Sequence, residues 1–319
     1  MPMDKALQQW DNRIGRRLKL RDLHILSIVV QWGSMAKAAS QLAMSQPAVS
    51  ESIANLEGTL GVRLLDRTSR GVEPTLYAHA MLRRGNVAFD ELRQAVREIE
   101  FLTNPTVGEI RVASGDTGAA GLLAPVIDQL SQRYAEVVVH VTSSSAEPLE
   151  YPELRDRKVD VVLARISKSF AHTDLSVEIL FDDPPRVVVG AQSPWARRRK
   201  VALVDLVDEK WTLSSDQVIH DLVYDAFRSK GLHAPKETVS ASSMLLRSRL
   251  LATGRYLTVL PASVLRYNAK AWSLKALPID LETAPMCVTL ITLKNRTVSP
   301  VVQLFIDEVR MTAKTIQNS

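Results

Sequence analysis

Cysteine is the scarcest residue in this chain of 319. Cys287 stands alone, which excludes a disulfide or a two-cysteine redox switch within one chain and fits a reducing compartment. No apolar run approaches the ~20 residues that cross a bilayer. The opening stretch MPMDKALQQWDNR has no apolar core of the kind a signal peptide carries. Together these predict a soluble, cytoplasmic protein with no membrane partner. Catalytic signatures are missing too. There is no G-x-S-x-G, no P-loop and no H-E-x-x-H, and His24, His79, His140, His172, His220 and His233 are scattered without ligand spacing. Cys287 sits in an apolar strand pattern and reads as core, not nucleophile. No catalytic residue, metal or cofactor is therefore expected.

The chain's length points to two or three domains. Net charge is +5 and the isoelectric point near 9.3. Residues 1–71 hold ten Lys and Arg against six Asp and Glu, so most of the excess lies in the first quarter, an electrostatic hint of nucleic acid.

Between Leu20 and Leu65 the pattern is helical, broken by tight turns. Leu23, Leu26 and Val30 recur at helical spacing up to Gly33. Ser34 is placed to cap a short Ala-rich helix, and Ser45 to cap the next, with Pro47 in its first turn. Val49, Ile53, Leu56 and Leu60 form a buried stripe, which leaves Gln46, Pro47, Ser50, Glu51 and Ala54 facing outward. VRLLDRTSRGVEPT then reads as two short strands around a polar turn. Thr75 to Leu102 is one long helix. Leu82, Phe89 and Val96, offset from Ala78, Gly85, Leu92 and Ile99, make a heptad seam that asks for a partner helix, most simply from a second copy.

From Gly108 strands alternate with helices, as in an α/β domain with a largely parallel sheet. FDDPPRVVVGAQSPW reads as a crossover into a second unit of the same kind, and strand Cys287–Leu293 and helix Pro300–Thr312 return to the first. Two lobes joined by a double crossover enclose a cleft suited to a small ligand.

The stretch GSMAKAASQLAMSQPAVSESIANLEGTLGVRLLDRTSRGVEPT, Gly33 to Thr75, resembles the LysR-type transcriptional regulators. Ala38-Ala39, Ser45 to Ala48, Ser50, Leu56-Glu57, Leu60-Gly61, Arg63 to Arg67 and Gly71 to Thr75 carry the resemblance. VDVVLARI and TGRYLTVLP extend it over about 300 residues. It implies a winged helix-turn-helix, dimers through the linker helix, often tetramers, and a bilobed α/β effector domain like a periplasmic binding protein. The expected division is a basic extension 1–17, a winged helix-turn-helix 18–75, a linker and dimerisation helix 76–104 and an effector domain 106–319. Lobe I would span about 106–183 and 286–319, and lobe II about 184–285. The implied partners are double-stranded DNA, a small-molecule effector, a second copy in a homodimer or homotetramer, and RNA polymerase if the protein activates.

For DNA, the helix after Ser45 is expected in the major groove, with Gln46 on adenine, Pro47 against a thymine methyl and Ser50 on base or phosphate. The N-termini capped by Ser34 and Ser45 offer N–H groups to phosphates. Arg63, Arg67, Thr68 and Arg70 are placed for backbone or minor groove. Many family members carry basic residues where this chain has Glu51 and Ala54. Glu51 would either accept from a cytosine amine or face away. The basic run Arg13, Arg16, Arg17, Lys19 and Arg21 could supply the missing charge.

In the cleft, Asp116 and Thr117 stand in the turn after the first strand, with Ser143, Ser144, Ser145, Ser214, Ser215, Ser243 and Arg247 as further lining candidates. Asp116 would repel a carboxylate unless neutralised or turned away, which favours a polyhydroxylated, sugar-like effector over an aromatic acid. Arg247 could pair an acidic group. A ligand-independent architectural DNA binder is the alternative, and it leaves some 200 residues of cleft domain without a use.

Overall fold

The computed structural model describes residues 17–68, 71–104, 107–144, 150–166, 173–283 and 286–318. The chain forms two compact units, one ending at Leu92 and one starting at Arg93.

Among the described residues, three helices and a hairpin make the first unit, with the start of a fourth helix. Helix α1, Leu20–Trp32, ends at Gly33, whose φ of 61° is a left-handed stop. Helix α2, Met35–Gln41, starts where the Ser34 hydroxyl accepts from the Lys37 N–H. Helix α3, Gln46–Leu60, starts where the Ser45 hydroxyl accepts from the Ala48 N–H at 3.3 Å. Ala38 and Ala39 are buried and small, so α2 seats closely against Leu23, Leu26 and Val29 of α1 and Val49, Ile53 and Leu56 of α3. The buried Ser52 hydroxyl donates to the Asp22 carboxylate and ties α3 to α1. Strands β1, Leu65–Thr68, and β2, Gly71–Pro74, pair antiparallel as a wing. Gly71 is at φ 136°, and any Cβ there would run into the Gly33 carbonyl, which accepts from the Val72 N–H at 3.0 Å. Glycine thus lets the wing lie directly on the α1–α2 turn.

Helix α4, Leu76–Thr103, leaves this unit. Its heptad seam proves to be two surfaces. Ala78, Leu82 and Phe89 pack into the helix-turn-helix core, and Gly85 is buried beside the Leu23 side chain. Leu92, Val96, Ile99 and Leu102 are 48%, 54%, 63% and 72% exposed, so only this last stretch is free to meet another helix.

Among the described residues, ten strands in two sheets and five helices of seven or more residues build the second unit. One sheet runs β4-β3-β5-β12-β6, from β3 Val107–Ser114, β4 Glu136–Ser143, β5 Val161–Ile166, β6 Leu175–Asp182 and β12 Cys287–Leu293. The other runs β11-β7-β10-β8-β9, from β7 Pro185–Gly190, β8 Trp211–Leu213, β9 Glu237–Ser240, β10 Leu257–Pro261 and β11 Leu274–Ala276. The expected largely parallel sheet is corrected here. β12 is antiparallel to both β5 and β6, and β7 to both β10 and β11. The reason is the double crossover: β6 leaves the first lobe as β12 enters it, and β7 enters the second as β11 leaves it. Sequence pattern gave no sign of β6, β8, β11 or the helix after Pro261.

Helix α5, Ala124–Arg133, follows a single turn at Asp116–Gly118 and a π-helical stretch at Ala119–Leu123. Helices α6, Gln217–Ser229, α7, Met244–Ala252, and α8, Ala262–Asn268, belong to the second lobe. Helix α9, Pro300–Gln317, returns to the first, where Val301, Val302, Phe305, Ile306 and Val309 close its core. The π stretch touches the second lobe: the Asn268 amide donates to the Ala120 carbonyl at 3.0 Å, and a side chain at Gly121 would collide with Ser263. Asp160 holds the end of α4 to the first lobe, taking Arg97 of α4 at 3.3 Å, Arg296 at 2.8 Å and the Arg111 N–H at 2.9 Å. No described helix is long and apolar enough to cross a membrane.

Gly71→Ala combines backbone strain with a backbone clash and should cost about 2 kcal/mol or more. The lost stability is read from the urea midpoint of the first unfolding transition. An unchanged midpoint would show that the wing is not seated on Gly33.

Candidate functional site

Two regions collect the residues singled out by sequence. The first is the outward face of α3. Gln46, Pro47, Glu51 and Ala54 are exposed and Ser50 half-buried. Glu51 lies one turn beyond Pro47, so the two share this outward face. The Ser34 and Ser45 hydroxyls are occupied as caps, so what their helices offer outward is N–H groups and, on α2, the exposed Lys37, a cation that sequence reading passed over.

Arg63, Arg67 and Thr68 are exposed on and beside the wing. The Arg63 carbonyl accepts from the Thr75 hydroxyl at 2.9 Å, which fixes the backbone while leaving the guanidinium outside. Glu57, assigned no role from sequence beyond its motif, accepts from the Leu64 and Leu65 N–H groups at 2.7 and 3.2 Å and anchors the first wing strand. Arg70 lies outside the described residues, as do Arg13 and Arg16; Arg17 is exposed.

The second region is a cavity of about 630 Å³ between the lobes of the second unit. Asp116, Thr117, Ser143 and Ser144 line it from one lobe, and Ser214, Ser215, Ser243 and Arg247 from the other; Ser145 lies outside the described residues. Several of these polar groups are spoken for. Ser144 donates to Glu153 at 2.5 Å, Ser243 accepts from the Leu246 N–H at 3.3 Å, and Ser214 accepts from the Asp216 N–H at 3.4 Å. Asp116 reaches across the cleft and accepts from the Met244 N–H at 3.2 Å, at the start of α7. The acid expected to face an effector, or to cap its own helix, caps a helix of the opposite lobe.

Sequence reading missed Arg165, Asp216, Gln217 and Tyr151, all on the cavity wall. Burial, and then Glu153, pushes the Tyr151 phenol up to about 12, so it stays a neutral hydroxyl. Arg165 and Arg247 are both pulled below the usual guanidinium value by burial, against the opposing pull of Asp183 and Asp216 on the first and of Asp116 and Asp216 on the second. Both remain cations. Arg165 Nη2 donates to the Asp183 carbonyl at 3.0 Å, with the Asp183 carboxylate 3.6 Å from Nε. The same carboxylate accepts from the Ser263 N–H and hydroxyl at 3.0 and 2.7 Å, and the Asp183 N–H donates to the Met286 carbonyl at 2.8 Å. One buried acid therefore joins both crossover segments, α8 of one lobe and the cavity-lining Arg165 of the other.

Known proteins match both regions. Residues 20–79 match the bacterial regulatory helix-turn-helix protein, lysR family, and residues 103–314 the LysR substrate binding domain. The chain is 27% identical over 297 residues to the HTH-type transcriptional regulator YdcI of Escherichia coli, an alignment covering 93% of this chain and 96% of that one. The solved structure of CbnR, a LysR family transcriptional regulator, is similar with a TM-score of 0.61 at 21% identity, covering 93% of this chain and 99% of the other. Full-length CbnR complexed with its target DNA gives 0.53 at 22%, covering 93% and 100%.

Asp183→Ala would strand Arg165 as an uncompensated buried cation and should cost about 3–5 kcal/mol. Chemical denaturation of the second unit reads the loss, and a change under about 1 kcal/mol would show that the charge pair is already solvated.

Proposed function

The chain belongs to the LysR family of transcriptional regulators, with a helix-turn-helix DNA-binding domain ahead of an effector-binding domain, and from that premise we propose that α3 reads base edges while the residues around it hold the phosphates. The carrying observation is the outward face of α3, where Gln46, Pro47, Ser50 and Glu51 form no hydrogen bond with their side chains among the described residues. Polar groups left facing solvent on a helix of this kind are available to a base pair. Gln46 suits adenine, Pro47 a thymine methyl, and Glu51 a cytosine amine. Arg63, Arg67, Thr68 and Arg70 around the wing, the N–H groups at the start of α3 and Lys37 of α2 supply the contacts that do not depend on sequence. CbnR, which shares this fold, has been seen on its target DNA, which supports the same use here.

In this reading the protein works in the cytoplasm, where its DNA is. The exposed Leu92, Val96, Ile99 and Leu102 pack against the same face of a second copy, and two such dimers form a homotetramer. The cleft is a sensor and not a catalytic site: an effector bound by both lobes changes their spacing, and with it the spacing of the DNA-binding units. An activating form would then present itself to RNA polymerase.

Gln46→Ala should flatten the preference at one base pair by roughly 1–3 kcal/mol, whereas Arg67→Ala should weaken all sequences alike and reduce the salt slope by about 0.9. Binding titrations on operator variants at several salt concentrations separate the two. A Gln46→Ala protein with unaltered base preference would remove α3 as the reader. For the linker, Val96→Asp with Ile99→Asp should shift the sedimenting species to monomer. A dimer that survives both charges places the interface elsewhere.

A further inference from the structure

The cavity wall carries a buried cation whose donor is unbonded, with Asp116 and Asp216 opposing its charge from nearby. Arg247 is 3% exposed, its Nε is buried, and its guanidinium makes no hydrogen bond among the described residues. An unbonded buried donor of this kind is costly unless something supplies an acceptor. The nearby carboxylates do not. Asp116 is bonded to the Met244 N–H at the start of α7, and Asp216 to the Val218 N–H at the start of α6. Each acid is stabilised by a helix N-terminus, which leaves the Arg247 guanidinium as the group still in want of an acceptor. The other cavity cation, Arg165, is already matched by Asp183. Arg247 is thus the cavity cation with no hydrogen-bonded acceptor among the described residues, and its fork has room for one acidic group.

The remaining wall chemistry narrows the class further. The hydroxyls of Thr117, Ser143 and Ser215 have no partner among the described residues and line the same cavity. Asp116 and Asp216 each engage one carboxylate oxygen in a cap, and the other oxygen is able to accept from a ligand hydroxyl. With one unbonded guanidinium on the wall, one ligand carboxylate has a partner and a second has none.

We propose that the cleft takes a small polyhydroxylated monoacid of the sugar-acid type, its carboxylate on Arg247 and its hydroxyls on Asp116, Asp216 and the wall hydroxyls. The proposal rests on the reading of the cleft as the effector site. It revises the expectation drawn from Asp116 in sequence: that acid does not bar a carboxylate, because a helix of the other lobe has taken its charge. It also assigns Arg247 a part in recognition, through a two-pronged contact that Lys cannot reproduce.

The test uses the full-length chain and titrates gluconate, galactonate and galacturonate, with galactose and benzoate as neutral and apolar controls. Calorimetry and thermal shift read binding, and footprinting on DNA reads its consequence. The sugar acids should bind in the millimolar range or tighter and raise the melting temperature, with galactose and benzoate well behind. Arg247→Gln should weaken the sugar acids roughly 10- to 100-fold, and Arg247→Lys, which keeps the charge without the fork, should fall between. A response to galactose or benzoate in place of the sugar acids overturns the assignment and keeps the cleft as effector site. So does a response that is equal in the wild type and both Arg247 variants. No response to any of the acids overturns it as well. Sugar-acid binding that never alters the DNA footprint would instead remove the effector reading and leave the ligand class standing.

Discussion

A single carboxylate at the first crossover, Asp183, sets the geometry of the sensing half of this protein. It binds the start of α8 through Ser263, pairs with Arg165 from the opposite lobe, and through its own N–H ties the outgoing crossover to the returning one at Met286. The arrangement is expensive to desolvate, and the charge pair and the bonds to Ser263 and Met286 offset that cost. What it secures is position. Arg165 is at once a member of this cluster and part of the cavity wall, so the crossover and the cleft share a side chain. A change in the spacing of the lobes has to pass through that shared residue or around it.

The DNA-binding half is organised on another principle, the disposal of backbone polar groups. Ser34 and Ser45 cap their helices, Glu57 takes up two N–H groups of the wing strand, and the Gly33 carbonyl takes up a third from Val72. These bonds are internal, and they use the short polar side chains that might otherwise have been assigned to DNA. The proposed reading falls to the few side chains that have no internal bond among the described residues, on a helix whose other face is sealed by Val49, Ile53 and Leu56. That is why a recognition helix with no Lys or Arg is workable: phosphate charge can be met from α2 and the wing while α3 is kept for base edges.

How far sequence carries depends on whether the signal is local. Caps, glycine stops and the period of α1 to α4 are local, and they were legible. So was the strand Cys287–Leu293, which is flanked by clear breaks. β8 and β11 were not, because three residues such as Trp211-Thr212-Leu213 carry no period. β6 escaped because Glu178 and Asp182 interrupt its apolar pattern. In the cleft, serines just beyond strand ends could be picked out by position. Arg165 could not: it sits within the buried-looking run VVLARI, and only the pairing of β5 beside β12 turns it to the cavity. Asp183 lies in Asp-Asp-Pro-Pro, which reads as a crossover from sequence, but its bonds to Ser263 and Met286 come from residues distant in the chain and leave no local signal.

The division of the α4 seam has a consequence for how such proteins change over time. Because Ala78, Leu82, Gly85 and Phe89 are spent on the core of the front unit, the first half of the helix travels with the DNA reader as a finished part. The second half carries the exposed Leu92, Val96, Ile99 and Leu102 and joins the sensor through Arg97 and through Phe101, which packs on the first-lobe core. A splice near Leu92 would break neither hydrophobic core. Readers and sensors can therefore be exchanged as interchangeable modules, with the joint already built into the middle of one helix.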